Sequence, residues 1–259
     1  MLTVHFLGTG AAIPSPGRDN TSLAIDDGLE VTLIDTSGSP LKRLGEAGIP
    51  PDRLSRVIIT HQHLDHTFGY PSLLQSLWLS ERKEPLDIYA QPATWPMIET
   101  LATLYRAETW KDMYPVRKHA IEPSDEPILE TPRISIRAAP GRHSVPSIGL
   151  RIEAASGHSL TYSSDTSQCD SIRDLARGSN ILVHEATFLA GNEDRAGRLG
   201  HSTARQAADT AAAAEVERLV LIHFTPHGPN DLAQLRRDAE AGFRGPIDVP
   251  SDMDMLTLE

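Results

Sequence analysis

The chain lacks several features that mark whole classes of protein. Cys169 is its only cysteine, so no intrachain disulfide can form. No apolar run approaches the roughly 18 residues that a membrane-spanning helix needs. The first residues also lack the basic flank and longer apolar stretch of a secretion signal. These absences lead us to expect a cytoplasmic protein with no membrane partner.

Basic residues are scarce as well. The sequence has 24 Lys and Arg against 35 Asp and Glu, a formal net charge of −11. Nucleic-acid binding draws most of its affinity from basic groups that neutralise phosphates. Nucleic acid is therefore not the favoured partner, although bound divalent ions or a local basic patch could reverse the sign within one cleft.

The order of apolar patterns indicates the fold class. Short β-branched runs of strand length alternate with helical patterns, which predicts an α/β layered fold. Two helices are predicted over residues 202–214, with Ser202 or Thr203 as N-cap, and over residues 230–241. No linker-like tract or repeat divides the sequence, so we expect one domain over residues 1–259. The aromatic-rich segment 70–121 is interpreted as core in preference to a pocket wall or the surface of a homodimer.

The strongest chemical signal is His61-Gln62-His63-Leu64-Asp65-His66, directly after the apolar run 57–59. Neutral imidazoles and carboxylates are natural ligands of zinc and similar divalent ions. Four such ligands within six residues would crowd one tetrahedral ion. Divided between two ions, with His61 and His63 on one and Asp65 and His66 on the other, the arrangement becomes sensible.

This segment is the HxHxDH signature of the metallo-β-lactamase superfamily, and the resemblance extends along the chain. That superfamily needs a third histidine, a bridging aspartate and a final histidine in this order, and His143, Asp165 and His223 stand in that order at the ends of apolar runs. Within the superfamily the sequence resembles ribonuclease Z. The resemblance rests on Leu7-Gly8-Thr9-Gly10 near the start and on two more specific motifs, His184-Glu185-Ala186-Thr187 and Gly200-His201-Ser202-Thr203.

The resemblance implies a four-layer αββα sandwich with two Zn²⁺ ions, with Mn²⁺ or Fe²⁺ as alternatives. It implies that His61, His63 and His143 hold one ion, that Asp65, His66 and His223 hold the other, and that Asp165 bridges both. A water between two such ions loses a proton near neutral pH, and the hydroxide attacks phosphorus or a carbonyl carbon. Asp65 then has two tasks, binding an ion and accepting that proton. Glu185 and His201 match the acidic and histidine pair beside the family's site, where they would orient Asp65 or pass a proton to the leaving oxygen.

Several positions depart from the ribonuclease Z pattern. That family grips tRNA with an arm inserted between the third histidine and the bridging aspartate, but here Asp165 follows His143 by only 22 positions, room for two strands and a turn. Pro16 and Asp19 stand where the family's N-terminal loop has a lysine and an asparagine, although Arg18 is kept. His227 stands where the family has an arginine. These departures favour a substrate other than tRNA.

The leading interpretation is therefore a dinuclear metal-dependent phosphodiesterase that acts on a small or cyclic phosphodiester. A lactonase or other carboxylic ester or amide hydrolase is the first alternative, because the same activated water serves both. A tRNA 3′-processing endoribonuclease is the second. A single-iron oxidoreductase and a metal-stabilised binding module without turnover complete the alternatives, and the full set of seven ligands argues against the iron enzyme.

Overall fold

Two β-sheets of seven strands face each other in the computed structural model, which describes residues 2–226, Gly228 and residues 231–258. The first sheet carries the strand that precedes the histidine motif. In spatial order along that sheet, the strands are β14 (Met255–Leu258), β1 (Leu2–Gly8), β2 (Ser22–Asp26), β3 (Val31–Ile34), β4 (Leu54–Ile59), β5 (Leu86–Ala90) and β6 (Val116–Ala120).

The second sheet carries the strands that precede Asp165 and His223. Its spatial order is β13 (Ile247–Asp248), β12 (Arg218–Ile222), β11 (Ile181–Glu185), β10 (Ser159–Tyr162), β9 (Ile148–Ala154), β8 (Ile134–Pro140) and β7 (Leu129–Glu130).

Helices lie in the connections from β3 to β6 and from β10 to β13, and two 3-10 turns lie at Pro51–Arg53 and Ala107–Thr109. Within the described residues, none of the helices is long and apolar enough to cross a bilayer. The helices are α1 (Pro40–Glu46), α2 (Leu64–Thr67), α3 (Tyr70–Leu79), α4 (Trp95–Leu104), α5 (Asp170–Ala176), α6 (Glu193–Leu199), α7 (Ala204–Ala213) and α8 (Asp231–Glu240).

Successive side chains of a strand point to opposite faces of its sheet, so each strand contributes to two layers of packing. In β4, Ile58 faces the space between the sheets, whereas Val57 and Ile59 pack on the opposite face with side chains of α1, α3 and α4. On the far side of the second sheet, alanines of α7 pack with Leu235 of α8. The four-layer αββα sandwich implied by the family resemblance is confirmed, with mixed sheets inside and helices outside.

The predicted elements agree closely with the observed ones. The helix predicted over residues 202–214 begins at Ala204, and Thr203 caps it in a reciprocal box with Gln206. The helix predicted over residues 230–241 is α8. The sequence predicted that this helix starts at Asn230, and it has His227 where the family has an arginine. Both residues lie outside the described part of the chain.

The aromatic segment is mainly core, as predicted. Tyr70 and Tyr114 are buried, and the stacked rings of Trp78 and Trp110 pack against the core on the helical side of the first sheet. Tyr105 is the exception, because it is 62% exposed.

Candidate metal centre

The residues singled out from the sequence meet at one edge of the sandwich. His61 follows β4, Asp165 follows β10 and His223 follows β12, so the two facing sheets deliver them to the same end. Asp35 after β3, Ser164 before Asp165 and His223 itself all have a positive φ, between 51° and 61°. Such backbone is costly for residues other than glycine, and it turns the chain sharply where each strand ends.

Two groups of these side chains share Asp165, and Glu185, His201 and His223 make a third cluster. In each group the ligand-type atoms lie within 4.8 Å of one another. The groups are His61, His63, His143 and Asp165, and Asp65, His66, Asp165 and His223. Asp165 joins them directly, since its Oδ2 is 3.7 Å from His61 Nε2 and its Oδ1 is 3.3 Å from His223 Nε2.

Four of the imidazole rings are oriented in the same way. In each, Nδ1 is hydrogen-bonded to a protein oxygen, which fixes the ring and turns Nε2 toward the centre. The pairs are His61 with Thr60 Oγ1 (3.1 Å), His66 with Asp35 Oδ2 (2.8 Å), His143 with the Gly200 carbonyl (2.7 Å) and His223 with Thr187 Oγ1 (2.9 Å).

Several of the inward atoms are buried polar groups without a partner. His61 Nε2, His66 Nε2, His223 Nε2 and Asp165 Oδ1 make no hydrogen bond with any described residue. Leaving a buried polar atom unpaired costs roughly 1–3 kcal/mol each. Convergence of four such atoms on one space fits a site for divalent cations, with nitrogen and carboxylate donors suited to zinc.

The charges of the site also suit a cation. Burial lowers the pKa of His61 well below its usual value and lowers the pKa of His143 and His63, so these rings are neutral and able to bind a metal ion. Burial by itself would raise the pKa of Asp165, but the neighbouring histidines outweigh it and hold the pKa of that carboxyl well below its usual range. The shared aspartate is therefore ionised.

Asp35 was not recognised from the sequence as a site residue. Its buried carboxylate accepts hydrogen bonds from Thr60, whose hydroxyl touches His61, and from His66. One carboxylate thus supports a ring in each group. The only sequence signal was its position at the polar end of a buried strand.

Glu185 and His201 form a pair beside the two groups. His201 Nδ1 is 2.9 Å from Glu185 Oε1, and the same carboxylate accepts from the backbone of Thr166 and from Thr187. Burial lowers the pKa of His201, but the Glu185 carboxylate outweighs it and raises the pKa to about 9. Because Glu185 occupies Nδ1, the other ring nitrogen, Nε2, is left for the pocket.

Gly200 links this pair to the first group. Its φ is +77°, and a Cβ there would lie 2.8 Å from His143 Nδ1 and 2.9 Å from the Ser144 backbone nitrogen. A larger residue would therefore push away the ring that the Gly200 carbonyl holds. The glycine is required by both its backbone conformation and this close approach.

The C-terminal segment anchors the loop behind His223. Asp252 Oδ1 accepts from the backbone nitrogen (2.9 Å) and hydroxyl (2.8 Å) of Thr9, and its Oδ2 accepts from the Asp19 nitrogen (2.8 Å). The Thr9 carbonyl in turn accepts from the His223 nitrogen at 2.8 Å. The retained Arg18 belongs to this network, since its buried guanidinium donates to Thr9 Oγ1 and to the Pro250 carbonyl.

Replacement of Asp252 by alanine is expected to lower the free energy of unfolding by about 2–4 kcal/mol, because two backbone donors lose their acceptor in a largely buried place. Urea denaturation of the chelated protein measures this. Asp254→Ala is the matched control, because among the described residues that carboxylate accepts only from the exposed Ser251 nitrogen, and its expected loss is below about 1 kcal/mol. Equal losses in the two variants would contradict an anchoring role for Asp252.

The two groups of candidate metal ligands open into a cavity of about 510 Å³. His63, His143, His201 and His223 line one side of it. A pocket of this size accommodates a small molecule or one nucleotide unit of a longer chain. The site is therefore reachable from solvent at the place where its histidines converge.

Comparison with known proteins agrees with this geometry. A family model described as "Beta-lactamase superfamily domain" matches residues 31–224. Ribonuclease Z of Mycobacterium bovis is 33% identical over 100% of this chain and 99% of its own, and ribonuclease Z of Methanothermobacter thermautotrophicus is 32% identical over 87% of both. The crystal structure of human tRNase Z, short form, superimposes with a TM-score of 0.81 at 25% identity, over 99% of both chains.

Proposed function

The chain belongs to the metallo-β-lactamase superfamily and is related to ribonuclease Z, and from this premise we propose that it hydrolyses phosphodiester bonds in RNA with two divalent cations, zinc first among them. It is a metal-dependent hydrolase with a histidine and aspartate metal site. That class sets aside the iron oxidoreductase and the binding module without turnover.

The choice of RNA reverses the order that the sequence favoured. Net charge and the short spacing between His143 and Asp165 favoured a small or cyclic diester. The two ribonuclease Z relatives named above match the chain over most or all of its length at 32–33% identity, and they favour the tRNA 3′-processing alternative. The observation that carries the proposal is the convergence of seven ligand-type residues in a ribonuclease Z relative.

In the proposed site, His61, His63 and His143 would hold one cation, Asp65, His66 and His223 would hold the other, and Asp165 would be shared between them. When bound, two divalent cations lower the pKa of a water and neutralise charge on the phosphate oxygens. The hydrogen bonds on the outer ring nitrogens keep the donors in place as substrate enters. The fold thereby supplies a preformed centre.

Asp65 and His201 carry the protons in this proposal. Asp65 Oδ2 lies 3.6 Å from His223 Nε2 at the partly open side of the centre, where it can accept a proton from the attacking water. As the new oxygen–phosphorus bond forms, the bond to the leaving oxygen breaks. His201, oriented by Glu185, donates a proton to that oxygen.

A small diester is the second candidate, and the cavity favours it. Arg195 is the one lysine or arginine among the residues described as lining the 510 Å³ space, and folded RNA is normally held by many phosphate contacts. The N-terminal loop does not add a free cation. Its buried Arg18 binds Thr9, and Asp19 is acidic and pairs with Arg43.

We also propose that residues 1–259 form one domain, since both sheets contribute to one core.

Parallel assays at low salt separate the candidates. The substrates are a precursor tRNA, bis(p-nitrophenyl) phosphate, a lactone and a β-lactam. We expect cleavage near the tRNA 3′ end with a kcat/KM at least about 100-fold above that of the model diester, because binding energy remote from the reacting bond adds to catalysis. An identically purified Asp65→Ala protein controls for contaminating nuclease.

Hydrolysis of the model diester without RNA cleavage would replace the RNA proposal with the small-diester candidate. Hydrolysis of the lactone or the β-lactam alone would overturn both.

A further inference from the structure

The proposed chemistry does not use the apolar part of the cavity lining, which we call the recess. It includes Phe188, Leu189 and Leu199, from the segment between β11 and the end of α6, together with Ile13 and Phe224. A phosphodiester group and two cations need only the histidine side. The apolar side therefore has room for the next part of a substrate.

Arg195 is placed at this recess by α6. Its guanidinium carbon lies 5.2 Å from the centroid of the Phe188 ring, a cation–π distance. No hydrogen bond or ion pair joins it to another residue in the described part of the chain, so its donors are available. The chain has a net charge of −11. Arg195 nevertheless puts a positive charge in the same cavity as histidines of the candidate metal site.

We infer that Arg195 and the apolar wall around Phe188 form a subsite for the nucleotide next to the scissile bond, with Arg195 binding that nucleotide's phosphate. The inference rests on the proposed phosphodiesterase function. A guanidinium binds phosphate oxygens through two parallel N–H donors, and this pairing is among the stronger hydrogen-bonded contacts in proteins. The adjoining Leu189 and Leu199 offer apolar surface to the base or ribose.

The subsite gives the enzyme a preference for substrates with more than one phosphate. A diester without a neighbouring phosphate makes the metal contacts alone. A chain of nucleotides makes the Arg195 contact in addition. This contact acts at the cavity itself, so it serves RNA and short oligonucleotides alike.

The test compares two substrates that differ only in flanking phosphates: the dinucleotide UpU and the same dinucleotide with a phosphate at each end, pUpUp. The protein is the metal-loaded full chain, as wild type and with Arg195→Ala, Arg195→Lys and Arg198→Ala. Arg198 is the matched control, because it is exposed on the same helix and is not among the residues that line the cavity.

We expect Arg195→Ala to lower the ratio of kcat/KM for pUpUp to that for UpU by about 10- to 100-fold, mainly through KM, as loss of a charge-assisted contact would. Arg195→Lys should restore part of the ratio, and Arg198→Ala should leave it unchanged. The wild-type ratio should also fall as salt is raised. An unchanged ratio in Arg195→Ala would overturn the subsite, and so would an equal loss with Arg198→Ala.

A binding measurement separates this inference from the proposed function. Calorimetry with uridine 3′,5′-bisphosphate against uridine reports the phosphate contact without any turnover. If no phosphodiester is hydrolysed but Arg195→Ala still weakens bisphosphate binding about tenfold, the function fails and the subsite holds. If diesters are hydrolysed and neither the ratio nor the binding changes, the subsite fails and the function holds.

Discussion

Removal of divalent cations by a chelator is expected to reduce hydrolysis to background, and readdition of Zn²⁺ should restore it. Two groups of ligand-type side chains share Asp165, so elemental analysis of protein purified without chelator should give close to two ions per chain, predominantly zinc. Without them, buried nitrogens of His61, His66 and His223 have no partner within the described structure.

The same unpaired atoms predict an effect on stability. Ligand that binds only the folded state at about 1,000 times its Kd adds roughly 4 kcal/mol. For a chain of this size, that corresponds to a rise in Tm of roughly 10 °C. Thermal unfolding of chelated and zinc-loaded protein measures it. One iron per chain, or protein that is fully active without metal, would contradict a two-ion centre.

Replacement of Asp65 by alanine is expected to lower kcat by at least about 1,000-fold while the fold stays intact, because one change removes a ligand and a proton acceptor together. The side chain of Asp65 is half-buried and does not belong to the hydrophobic clusters of the core. Circular dichroism and a metal assay should accompany the kinetics. We expect the variant to lose most of one ion per chain.

His201→Ala is the informative comparison for Asp65→Ala. His201 is hydrogen-bonded to Glu185, and we place it outside the set of residues that hold the ions. The variant should lower turnover about 100- to 1,000-fold, in the range of a lost general acid, and keep most of its metal. If both variants lost equal amounts of metal, the assignment of His201 to proton transfer would be wrong.

How far the sequence could specify the site depended on distance along the chain. The motif from His61 to His66 is local, and its four ligand-type residues in six positions favoured two ions over one. His143, Asp165 and His223 are isolated residues whose order and positions at strand ends matched the superfamily, and the structure brings all three to the motif. The sequence patterns did not predict β6 or α6, because β6 is a largely polar edge strand and Ala196 is the one buried side chain described in α6.

From the sequence, the alternation of strand and helix patterns predicted an α/β layered fold, and the motif from His61 to His66 indicated a metal site, because periodicity and motif spacing are properties of neighbouring positions. The αββα sandwich and the roles of His143, Asp165 and His223 followed from the resemblance to the metallo-β-lactamase superfamily. Only the tertiary structure decided which other residues hold the candidate ligands and their loops in place. Asp35 supports His66 from 31 positions away, Gly200 holds His143 from 57, and Asp252 anchors Thr9 from 243. The position of Arg195 over Phe188, on the wall of the same cavity as His223, is likewise a product of packing. Contacts of this kind leave no periodic trace in the sequence, since each depends on where two separate elements come to rest against each other.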